Sequence, residues 1–140
     1  MAKGSLMGIW MHGVFLSVRP VEENGLLQLE AYEVSGNLKQ QINLKIPDAQ
    51  IIATGPRRFA RDVNGMWAVS GVAYSSDMRS ASFLAILAPD GKNQVVIRTS
   101  PYVATTVTIS TDGTIWTAGS EMLDGQQGDP TSDIVRRFDT

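Results

Sequence analysis

The sequence predicts an all-β protein of antiparallel, hairpin-connected strands, and three observations predict it. Asn-Gly or Asp-Gly pairs punctuate the chain at Asn24-Gly25, Asn64-Gly65, Asp90-Gly91, Asp112-Gly113 and Asp124-Gly125, and such pairs favour the positive backbone angles of tight reversals. Between them apolar and polar residues alternate with the period of two that a strand requires, and no segment sustains a helical period with caps. A phrase also recurs: Asn64-Gly65-Met66-Trp67-Ala68-Val69-Ser70-Gly71 returns as Asp112-Gly113-Thr114-Ile115-Trp116-Thr117-Ala118-Gly119, the mark of a repeated turn-plus-strand unit.

The first element is the mostly apolar run from Leu6 to Val18 behind a lone Lys3. It is interrupted by His12, is followed by Arg19-Pro20 and lacks a small-x-small cleavage pattern, so it reads as a buried strand over 8–18 rather than a signal peptide. It is also shorter than the about 20 apolar residues that span a bilayer. Strands are then expected over 26–34 and 38–46. In the latter Leu38, Ile42, Leu44 and Ile46 share one side, with Gln41, Asn43 and Lys45 opposite. The next four strands, over 57–63, 66–74, 81–88 and 94–99, make a complete antiparallel sheet. A strand over 103–110 follows, with Val103, Val107 and Ile109 on one face and Ala104, Thr106, Thr108 and Ser110 on the other. Strands over 114–119 and 134–140 complete the prediction.

Aligning the turns gives these strands a register. Ser35-Gly36 falls on Asp90-Gly91 at an offset of 55, which brings Leu29 onto Leu84, Tyr32 onto Leu87 and Ile42 onto Ile97. Asn64-Gly65 falls on Asp112-Gly113 at an offset of 48, and Trp10, Trp67 and Trp116 recur at intervals of 57 and 49. Spacings of about 50 residues are those of four-stranded propeller blades. The expectation is one partial β-propeller domain over 1–140: a partial blade over 1–50, a complete blade over 51–100 and a second partial blade over 101–140. A closed ring needs at least about four blades, so the chain is expected to be a piece of a longer propeller or to be completed by further copies of itself.

The phrase Asp112 to Gly119, preceded by the alternating strand from Val103, resembles the repeat of bacterial β-propellers of the NHL and two-component-regulator type. Asp133 to Thr140 resembles the third strand of such a blade. The resemblance covers nearly the whole chain and concerns the scaffold, since propellers of this kind include sensors, scaffolds, lectins, lyases and lactonases. The first blade departs most, because Met7-Gly8-Ile9-Trp10 has no Asp or Asn before its glycine.

Composition narrows the function classes. With a net charge of -2 the chain has no field to draw nucleic acid or an anionic membrane surface. The absence of cysteine excludes disulfides, thiolate chemistry and Cys-ligated zinc and leaves the compartment undetermined, cytoplasmic or periplasmic/extracellular.

No catalytic, cofactor or metal-binding residue is assigned. His12 is the sole histidine, and neither a partner base nor a Gly-x-Ser-x-Gly motif accompanies it; a hydrogen-bonded structural role is expected. Asp124-Gly125-Gln126-Gln127-Gly128-Asp129 lacks the alternating ligands and terminal Glu of an EF-hand and reads as a polar connecting loop. Glu22-Glu23 reads as a solvated turn. Arg57-Arg58 and Arg136-Arg137 read as edge charges that discourage strand pairing. The tryptophans are expected to fill the gaps between neighbouring sheets, because wedge-shaped contacts need large side chains.

In blade geometry the longer connections emerge on the face opposite the tight glycine turns. Asp48, Asp77, Arg79 and Tyr102 are the polar or aromatic candidates there for a small-molecule or protein ligand. The expected function is therefore a non-catalytic binding or interaction segment, sensory or scaffolding, of a larger bacterial protein. The alternative is part of a propeller-fold enzyme, a lactonase, lyase or other hydrolase, whose catalytic residues lie outside this chain.

Overall fold

The alternation that defines the strands also leaves each of them an apolar face to bury, and the chain does so by stacking three antiparallel sheets. The computed structural model describes residues 7–21, 26–47, 51–77, 79–123, 126–127 and 134–139. Sheet I runs β1 (Met7–Met11), β2 (Val14–Pro20), β3 (Leu26–Tyr32) and β4 (Leu38–Lys45), each strand bonded to its sequence neighbour. Sheet II repeats this order with β5 (Ile51–Arg61), β6 (Trp67–Ser75), β7 (Ser80–Leu87) and β8 (Gln94–Arg98). In sheet III, β10 (Ile115–Leu123) lies between β9 (Tyr102–Ile109) and β12 (Ile134–Phe138), and its end pairs with the two-residue β11 (Gln126–Gln127). The turn pairs Asn24-Gly25 and Asp124-Gly125 and the Glu22-Glu23 dipeptide lie outside the described residues.

One expected strand is two. The run over 8–18 folds into the β1–β2 hairpin, with Met11 opposite Val14 and a reversal at His12-Gly13. Both turn residues have positive φ, 51° at His12 and 78° at Gly13, the geometry whose twist matches a two-residue hairpin. Sheet I therefore has four strands where three were expected. His12 is an exposed turn residue, not part of an apolar strand.

The sheets stack in one sense. On β2, β3 and β4 the residues Leu16, Val18, Leu27, Leu29 and Leu44 are fully buried against Trp67, Val69, Phe83, Ala85 and Leu87 of sheet II. The opposite face of sheet II, with Ala60, Ala68 and Leu84, packs on Tyr102, Ala104, Val107 and Ile115 of sheet III. We call the first of these surfaces on each sheet its forward face and the receiving surface its back face. Sheet II is thus covered on both sides, and β6 is buried at every position from Trp67 to Ala73. Truncation of a core aromatic such as Trp67 to alanine costs about 3–5 kcal/mol.

Cross-strand register shows that the faces are equivalent from sheet to sheet. Leu29 pairs with Ile42 on the forward face of sheet I, as Leu84 pairs with Ile97 on that of sheet II. Trp67 and Ile115 both occupy the back-face position two residues after their turn glycines, opposite Leu87 and Phe138 respectively.

The glycine that closes the repeated phrase has a steric cause. Both the β5–β6 and the β9–β10 pairings slip by one residue, between Pro56 and Arg58 and between Ala118 and Gly119. Such bulges bend the partner strand, and here they bring its carbonyls inward. A Cβ on Gly71 would lie 2.6 Å from the Gly55 carbonyl oxygen, and one on Gly119 would run into the Val103 carbonyl.

Between sheets II and III the contact is also hydrogen-bonded. Buried Ser70 donates to the Ala104 carbonyl at 2.9 Å and Ser82 to the Tyr102 carbonyl at 2.7 Å.

Gly71→Ala and Gly119→Ala are each expected to cost about 1–3 kcal/mol, the range for forcing extra volume into a packed site. Urea unfolding checks this against Gly8→Ala, where only the tip of the Phe15 ring, 2.5 Å from the added carbon, must move. A smaller loss at Gly119 than at Gly8 would contradict the account.

Candidate interaction faces

Among the described residues, head-to-tail stacking of three sheets leaves two faces without a neighbouring sheet, the back of sheet I and the forward face of sheet III. The back of sheet I carries a row running across its strands: Trp10 on β1 stands opposite Phe15 on β2, Phe15 opposite Tyr32 on β3, and Tyr32 opposite Leu38 on β4. The equivalent row of sheet II is Arg61, Trp67 and Leu87, and that of sheet III is Ile109, Ile115 and Phe138. Trp67, Leu87 and Ile115 are wholly buried against the preceding sheet, whereas Trp10 is 55% and Phe15 39% exposed.

Beside this row lies a polar strip. Arg19 donates to the Gln28 side-chain oxygen and approaches the Glu30 carboxylate at 3.6 Å, and the Tyr32 hydroxyl donates to Glu30 at 2.8 Å. The Tyr32 phenol is held above its ordinary pKa, first because it hydrogen-bonds that carboxylate and then by burial.

On the forward face of sheet III, Trp116 on β10 stands between Thr108 on β9 and Arg137 on β12. The Arg137 guanidinium sits 6.0 Å from the Trp116 ring centroid and pairs with Asp139 at 2.9 Å. The next row is Thr106, Ala118 and Val135, the last of which is exposed.

These exposures correct the expectation that all the tryptophans pack between sheets. Only Trp67 does so, its ring tilted 34° to that of Phe59 at 6.1 Å between centroids and its indole nitrogen donating to the Gln40 side-chain oxygen at 3.3 Å. At the offset of 48 that aligns the turn glycines, Trp67 falls on Ile115, and Trp116 falls on Ala68. Trp116 is one residue out of step, and a one-residue step on a strand changes the face.

The sequence-predicted candidates do not gather. Asp48 lies outside the described residues. Asp77 and Arg79 are exposed in the β6–β7 turn, where the Asp77 carboxylate accepts from the Ser75 hydroxyl and the Arg79 backbone amide and pairs with the Arg79 guanidinium at 3.5 Å. The Ser75 hydrogen bond, then the Arg79 amide, holds the Asp77 pKa below the ordinary carboxylate value. Tyr102 is wholly buried. Its hydroxyl hydrogen-bonds Thr117 at 2.7 Å and the Arg136 guanidinium lies 4.2 Å from its ring centroid, so it joins strands of sheet III and presents nothing to solvent. Among the described residues no group of three or more His, Asp or Glu side chains could hold a metal ion. The residues that sequence reasoning missed are Phe15, Tyr32 and Val135, which become a surface only once strand pairing is known.

Asp112 offers a clean pH readout in the repeated turn. Its carboxylate accepts from the Ser110 hydroxyl and from the Thr114 amide at 3.0 Å, and these bonds, the Ser110 one first, lower its pKa from 3.8 to about 2. A depressed carboxylate stabilises the fold above its unfolded pKa and loses that contribution as pH falls through the folded one. The stability gap between the wild type and Asp112→Asn should therefore be steady near neutrality and close between pH 3.8 and about 2; a pH-independent gap in urea unfolding would contradict this. In the W10F/W116F double variant the remaining Trp67 should emit to the blue of the wild type and resist iodide quenching. The chain matches no protein-family model, no curated protein and no solved structure.

Proposed function

We propose that this chain is a non-catalytic interaction segment built of propeller-type blades, which works by presenting sheet faces to other β-structure. The observation that carries the reading is the back of sheet I: the row that its two sister sheets bury is here aromatic and open to solvent. Contiguous apolar surface of this kind, rimmed by polar groups, marks an interaction site. The repeated order of strands and the common sense of stacking support the blade reading. The charged groups of Asp77 and Arg79 pair with each other, and neither belongs to the two faces.

A photo-crosslinking amino acid at Phe15 or Val135, introduced in cells that make the protein, tests this directly. Polypeptide adducts are expected from both positions and not from Val63, a more exposed residue in the β5–β6 turn. Loss of adducts at both faces would overturn the proposal.

A further inference from the structure

We infer that the occupant of the open back face of sheet I is the forward face of sheet III from a second copy of this chain, joined head to tail. The inference rests on the interaction-segment reading above and specifies its partner. Twice within the chain a forward face packs on the back face of the next sheet, first sheet I on sheet II and then sheet II on sheet III. Among the described residues the two faces that a third junction of the same kind needs lie at opposite ends of the stack, so these three sheets cannot form it with one another.

The register supplies the fit. The back-face row Trp10, Phe15 and Tyr32 is the counterpart of Trp67 and Leu87, which sheet I covers, and of Ile115 and Phe138, which sheet II covers. Trp116 occupies on sheet III the place that Ala68 holds on the buried forward face of sheet II, with Val135 in the place of Leu84. The row of sheet I is aromatic from Trp10 to Tyr32, and sheet III sets Trp116 and Val135 at positions the internal junction uses, with Thr108 and Arg137 in the places of Ala60 and Ile86. The charges nearest to them are paired, Glu30 with Arg19 and Tyr32, and Arg137 with Asp139. The junction is heterologous: each copy contributes a different face, so copies add in one direction and end either in a closed ring or in an open chain.

Mixing two defective variants distinguishes this arrangement from every same-face pairing. Trp10→Glu spoils only the back face and Trp116→Glu only the forward face. By sedimentation equilibrium the wild type should self-associate, each variant alone should be monomeric, and their equimolar mixture should reach twice the monomer mass, since one intact junction remains. A folded wild type that stays monomeric at its solubility limit would overturn the inference, as would a mixture of folded variants that does not associate. So would self-association lost in Trp10→Glu and untouched in Trp116→Glu. Blue-shifted emission from buried Trp67 reports that each variant is folded, and Leu38→Glu with Val135→Glu provides a second pair if either tryptophan variant is not. If the mixture fails while photo-crosslinks from Phe15 and Val135 still capture other polypeptides, the partner is a different protein and the interaction-segment reading stands.

Discussion

Burial of the middle sheet on both faces constrains the other elements, because a strand covered on two sides can no longer use alternation to separate core from solvent. β6 accordingly departs from the period of two: Trp67 and Val69 serve one junction while Ala68 and Ser70 serve the other. Volume is divided unequally between them. The back of sheet II holds the large rings of Trp67, Phe59 and Phe83, and its forward face holds Ala60, Ala68 and Leu84. Small side chains there allow sheet III close enough for the Ser70 and Ser82 hydroxyls to reach its backbone carbonyls. Hydrogen bonds of this type contribute about 0.5–1.5 kcal/mol each net, and leaving their buried partners unmet costs more. They fix the alignment of two sheets that apolar contact alone would permit to slide.

The bulges belong to the same constraint. A bulge adds a residue to one strand and increases its local twist, and the first strands of sheets II and III carry one at matching positions. Opposite each bulge the space narrows to a bare backbone, so Gly71 and Gly119 end the repeated phrase. What looks in the sequence like a turn motif with a decorative glycine is a turn, a strand and a clash avoided at a fixed distance from the turn.

Most of the strand order was legible because its signals are local. The tight turns at Gly36, Gly65, Gly91 and Gly113 all have positive φ, as their neighbours Ser35, Asn64, Asp90 and Asp112 led one to expect. The hairpin at His12-Gly13 escaped because neither Asn nor Asp marks it and the flanking residues are apolar on both sides. Its consequence was not local: without a β1, Trp10 and Phe15 seem to be five residues apart on one strand, whereas they are cross-strand partners on one face. Tyr102 was misjudged for a different reason. Its place in the connection before the strand over 103–110 suggested a rim, but it opens β9, and Thr117 and the Arg136 side chain, both distant in sequence, close over it.

Trp116 shows how fine the distinction between core and surface is in such a stack. A difference of one residue, between a tryptophan interval of 49 and a glycine interval of 48, moves an indole from the buried row to the open one. Had Trp116 been in step with Trp67 it would occupy the place of Ile115 and complete the junction between sheets II and III. Out of step, it leaves that junction to isoleucine, which fits beside Ala68 and Tyr102, and it gives the far face of sheet III its largest apolar group. An aromatic exposed by an accidental register slip would be expected alone. Here Arg137 borders it and Val135 extends it, while Trp10 and Phe15 face solvent at the other end of the stack. Apolar side chains thus stand at both ends of the stack in positions whose counterparts elsewhere in the chain are packed.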